Sequence, residues 1–119
     1  MEGLEDGMVV VVANRIPVSK GWEEEFERRW RNRTWSIANL PGFLGTEVLR
    51  PVKGDMYIVQ THWRSMKDFE HWAKSPAFQE AHAKPPPREA FAGSNVLEIH
   101  EVFAGRKALA KNRARKAKR

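Results

Sequence analysis

The chain contains no cysteine. That excludes a disulfide framework, thiolate zinc sites, iron–sulfur ligation and a cysteine nucleophile. It also lacks any apolar run approaching the roughly 20 residues that cross a bilayer, so no membrane span is expected. Residues 1–7 are acidic with no apolar centre, which does not match a signal peptide, and a cytoplasmic protein is the simpler expectation. No phosphate-cradling glycine pattern, nucleophile elbow or histidine pair at metal-ligand spacing is present. With 119 residues, the chain has enough length for one modest core and no room for a second domain.

The formal charge of +6 is local rather than global. Eight of the 21 Lys and Arg lie between Arg106 and Arg119, where there is no acid, leaving 13 basic against 15 acidic residues in positions 1–105. The basicity therefore belongs to the tail, and it is a poor indicator of a nucleic-acid-binding domain. Having no large aromatic residue to bury, the tail reads as a solvated, disordered terminus, with contact to nucleic acid or an acidic surface as the alternative. The expected organisation is an N-terminal extension at 1–7, a folded domain at 8–104 and a basic tail at 105–119.

Met8 to Val18 opens with a β-branched run that predicts a strand ending near Pro17. Alternation puts Met8, Val10, Val12, Asn14 and Ile16 on one face and Val9, Val11, Ala13 and Arg15 on the other. A strand apolar on both faces calls for a second cover, such as a partner subunit. From Lys20 to Asn39 the period turns helical, with Trp22, Phe26, Trp30 and Ile37 as a core stripe and Leu40-Pro41-Gly42 as the stop. Phe43–Arg50 and Asp55–Trp63 read as a hairpin around Pro51 to Gly54, and Asn95–Phe103 as a last strand. The order strand, helix, strand, strand, helix, strand is the ferredoxin-like βαββαβ arrangement, an α+β fold with an antiparallel sheet.

Between the third and fourth strands, two short helices are expected. Ser65 caps the first with Asp68 three residues on, and Ser75 caps the second with Pro76 at its first position. Phe69 and Trp72 share one helical face, as do Phe78 and His82. Pro85-Pro86-Pro87 ends the second helix and opens a loop, Lys84–Ser94, long enough to move. Asn14 closes a valine-rich strand on the helix-facing side, where its amide needs partners or a ligand unless it is simply a structural turn residue. Of the four histidines, His62 and His100 lie in strands and His71 points about 100° away from Trp72, towards solvent. His82 is the one placed to offer a ring nitrogen to a cavity, as a metal or haem-iron ligand or an acid–base group, if it is not structural.

Ala13-Asn14-Arg15, the run Trp63-Arg-Ser-Met-Lys-Asp-Phe69, Trp72-Ala-Lys-Ser75, Phe78 and Ala81-His82 together resemble the Asn, Trp and His triad of the haem-degrading monooxygenases of the Isd (iron-regulated surface determinant) type. The likeness covers about residues 8–103, and the wider antibiotic-biosynthesis monooxygenase superfamily shares the fold. The resemblance implies a homodimeric α+β barrel with haem as both cofactor and substrate. It implies His82 as proximal iron ligand, Asn14 as a hydrogen-bonding group on the distal side, Trp72 pressing on the macrocycle to ruffle it, and Phe78 beside them. O2 and an external electron donor, a reductase or small reductant, would open the porphyrin and release iron. A cofactor-free monooxygenase acting on an aromatic substrate and a non-catalytic haem-binding protein are the alternatives. The three prolines and the basic tail have no counterpart in that resemblance.

Overall fold

Seven residues of the valine run, Val10–Ile16, form β1, and its alternation decides the layout. The structure, a computed structural model, describes residues 8–106, so the extension at 1–7 and the tail from residue 107 lie outside the described residues. Phe43–Leu49 forms β2, Tyr57–Trp63 β3 and Val96–Glu101 β4. They make one sheet in the order β2-β3-β1-β4, with each neighbouring pair antiparallel. Helices α1 (Glu23–Arg31), α2 (Met66–Ala73) and α3 (Pro76–Ala81) complete the ferredoxin-like α+β pattern.

The expected long helix over Lys20–Asn39 is two pieces, α1 and a 3₁₀ turn at Ser36–Asn39. Asn32 and Thr34 are weak helix formers, and the Arg33 guanidinium folds back over the Trp30 ring, 3.8 Å from its centroid. The apolar stripe is split by that break. Phe26 and Trp30 pack with Ile16, Tyr57, Val48, Val59 and Phe91 in one core cluster, whereas Ile37 joins Val10, Val12, Trp63, Phe43, Phe69 and Trp72 in another. Trp63, fully buried, is the hub of the second cluster, and its indole N–H donates to Thr61 Oγ1 at 3.0 Å. A positive φ of 79° at Gly42 completes the turn into β2, where a Cβ would collide with the Asp68 side chain.

Glu27 fastens α1 to the sheet. Its carboxylate accepts from Arg50 Nε (2.7 Å) and Nη2 (2.6 Å), from Arg31 Nη2 (3.0 Å) and from the Tyr57 hydroxyl (2.5 Å). Arg50 and Tyr57 hold it well below the usual carboxylate range, at about 2. Burial, aided by Glu27, pushes Tyr57 up to about 12. Because the folded-state value lies below the unfolded one, this contribution is complete above the unfolded carboxylate pKa of roughly 4.3 and is lost as pH falls towards 2. Glu27→Gln is expected to cost about 1–2 kcal/mol at neutral pH, with a smaller difference from the parent at pH 3, read by urea unfolding.

On the sheet face away from the helices, two rows are apolar only at β1. Val11 stands between His62 and His100, and Ala13 between Gln60 and Glu98. Glu47 accepts from Gln60 (3.1 Å) and lies 2.6 Å from His62 Nε2, while Arg15 pairs with Glu98 at 3.1 Å. A further row, Leu49, Ile58, Arg15 and Val96, is largely apolar. The apolarity of this face thus extends to the neighbours of β1 in the Arg15 row but not in the Val11 and Ala13 rows.

Candidate active site

Asn14 occupies the gap between the two core clusters, because Val12 belongs to one and Ile16 to the other. It is half-buried, its side chain takes part in no hydrogen bond among the described residues, and its cross-strand neighbours are Val59 and Leu97. Next to it on β4, Leu97 and Ile99 face the same side and are 59% and 39% exposed. The helices cover β2, β3 and β1 but leave this edge of the sheet open. The result is an apolar floor carrying one free amide.

The two capped helices behave as their sequence predicts. Ser65 Oγ accepts from the Asp68 N–H and Ser75 Oγ from the Phe78 N–H, both at 3.2 Å. Between them they bring Trp72, Phe78 and His82 together. Trp72 stacks on Trp63 at 5.7 Å, meets Phe78 edge-on at 4.8 Å and lies 6.3 Å from the His82 ring. Phe78 and His82 stack at 4.1 Å. Trp72 Nε1 is buried without a hydrogen-bond partner among the described residues.

His82 caps the C-terminus of α3 and is exposed. Its Nδ1 lies 2.8 Å from the Phe78 carbonyl oxygen. A carbonyl can only accept, so Nδ1 carries a proton, which in the neutral ring leaves the lone pair on Nε2. This is the arrangement in which backbone fixes the tautomer and ring orientation of a ligating imidazole. The other histidines are elsewhere: His62 and His100 on the opposite sheet face, and His71 exposed on α2.

The model of the family described as "Antibiotic biosynthesis monooxygenase" matches residues 8–84. The chain belongs to that family. Among its relatives is the "Heme oxygenase (mycobilin-producing)" of Mycobacterium tuberculosis, 43% identical over 97 residues that cover 81% of this chain and 91% of the relative. The "Heme-degrading monooxygenase" of Bacillus thuringiensis is 31% identical over 97 residues, covering 79% and 90%. A solved structure of the family, the haem degrader MhuD of Mycobacterium tuberculosis with two haems bound in its active site, superposes with a TM-score of 0.69 at 40% identity, covering 82% of this chain and 99% of that one. The family match spans β1 through α3, the elements that carry Asn14, Trp72, Phe78 and His82.

Sequence reasoning missed the floor and the hub. Leu97 and Ile99 alternate with Glu98 and His100, a signal for their common face, but only register with β1 places them beside Asn14. Trp63 reads as a strand residue until its stack with Trp72 is known.

Proposed function

We infer that this protein is a haem-degrading monooxygenase, and that the site acts between the two layers of the fold. The observation that carries this reading is the exposed His82 imidazole, with Nδ1 held by the Phe78 carbonyl and its ring beside Phe78 and Trp72. The residues fit haem: a flat apolar ligand matches the exposed Leu97 and Ile99 floor and the Trp72–Phe78 wall, and one neutral imidazole is the usual iron ligand. Bound haem supplies the redox-active iron that activates O2, and is consumed as substrate, with electrons from an external donor.

The chain's own residues do the positioning. His82 would hold the iron through Nε2 from the helix layer. Asn14 presents its amide from the sheet layer, where its donor and acceptor stay unspent among the described residues. Trp72 would bear on a bound macrocycle, braced by its stack on the fully buried Trp63. Anaerobic titration with ferric haem is expected to give a histidine-type Soret band. Subsequent O2 and ascorbate, with catalase present, should bleach it and free iron. Bleaching that catalase suppresses would refute enzymatic turnover, and absence of the Soret band would favour a cofactor-free reaction in the same cleft.

The working unit is a homodimer through the face opposite the helices. Leu49 and Val96, 38% and 46% exposed, and the half-buried Val11 and Ile58 support this, because an isologous interface needs such a self-facing patch. Val11→Lys puts a cation between His62 and His100 at the centre of that face. Sedimentation velocity at micromolar concentration is expected to show a dimer for the parent and a monomer for the variant; a monomeric parent would remove the interface.

A further inference from the structure

Pro85-Pro86-Pro87 begins two residues beyond Ala83, the neighbour of His82, with only Lys84 between them, and no part of the cleft uses it. Both of its ends are fixed. At the near end the Ala83 N–H donates to Glu80 O at 3.3 Å and Arg29 of α1 donates to Lys84 O at 3.4 Å. Pro87, at φ −63° and ψ 156°, is in polyproline II geometry. At the far end Ala90, 2% exposed, accepts from the Ser19 N–H at 2.7 Å, and the Ala92 N–H donates to Pro17 O at 2.7 Å. Val18 and Phe91 pair between those bonds, and Phe91 packs into the cluster of Ile16, Phe26 and Tyr57. The expected mobile loop is therefore a strap tied at its far end to the residues that leave β1, the strand of Asn14.

The near end needs such a tie. α3 has six residues, well short of the length at which a helix holds its own last turn, and His82 is its exposed C-cap. A flexible connection there would let the cap fray, and each binding event would then have to order it. Three consecutive prolines fix φ three times and restrict each preceding residue, so the strap has few conformations to lose. We propose that Pro85, Pro86 and Pro87 are positioning residues, a stiff strut that sets His82 at a fixed reach from the Asn14 strand. The haem reading of His82 underlies this role.

The test compares the parent with P85G/P86S/P87G and with P85A/P86A/P87A, which restores part of the stiffness. In the haem-free proteins the His82 amide is expected to exchange with solvent roughly tenfold faster in the Gly-Ser-Gly variant, while amides of β1 and β3 keep their protection. Ferric haem affinity should fall by about tenfold and the iron–histidine Raman band of the reduced complex should broaden, with the alanine variant intermediate. Unchanged His82 exchange and affinity would overturn the strut, as would faster exchange shared equally by all core amides, which is general destabilisation. If the parent itself gives no histidine-ligated haem, the haem reading fails, and the exchange measurement alone decides whether the prolines fix His82.

Discussion

His82→Ala is expected to weaken ferric haem binding by at least about a hundredfold and to shift the Soret band, while His62→Ala, His71→Ala and His100→Ala leave both unchanged. Loss of even an outer-shell partner costs a metal site roughly 10- to 100-fold, and here the proposed bond to iron itself goes. No second imidazole stands by to replace it. His62 is tied to Glu47 at 2.6 Å on the opposite sheet face, His100 shares that face, and His71 projects from α2 into solvent. Folding should be nearly untouched, because an exposed C-cap side chain bonded only to a carbonyl of its own turn contributes little. The measurement is a spectrophotometric titration of each variant, with the thermal midpoint as control. A His82→Ala protein with parental affinity and spectrum, alongside loss of the band in any other histidine variant, would move the ligand elsewhere.

How much of this was legible in the sequence depended on whether a feature is local. The caps at Ser65 and Ser75, and the shared face of Phe78 and His82, are set by residues three or four apart, and the structure shows each of them directly. The order of elements along the chain also followed, since alternation and turn residues separate them. The break after α1 did not: Trp22, Phe26, Trp30 and Ile37 keep a helical period, yet Ile37 is claimed by the Val10–Trp63 cluster and Trp30 by the other. Periodicity cannot register a competition between two cores. The floor at Leu97 and Ile99, the polar ladder on the far face and the anchoring of Phe91 beside Val18 all rest on pairings between residues far apart in the chain. For the same reason Asn14 was recognisable as an amide in an apolar strand, whereas its position between two clusters was not.

That position is why Asn14→Ala is expected to fail differently from His82→Ala. The Asn14 amide makes no hydrogen bond among the described residues and stands beside Val59 and Leu97, so the fold gains nothing from it. Replacing it should leave the thermal midpoint unchanged or slightly raised. Haem affinity should stay within a few-fold of the parent, because on the proposed reading the amide adds only one polar contact to a ligand held by His82 and by apolar burial. Degradation is another matter. A preorganised donor in a water-poor site is worth about 10²- to 10³-fold when charge develops beside it, and it costs no reorganisation at that moment. Turnover with haem saturating, ascorbate as donor and catalase present is therefore expected to fall by about a hundredfold, in kcat rather than in KM. Asn14→Asp separates donor from bulk, since it keeps the shape but removes both N–H groups. If Asn14→Asp retains parental turnover, the donor has no part in the reaction. If Asn14→Ala releases the haem, the amide is a binding group and the division of labour between sheet and helix layers is wrong.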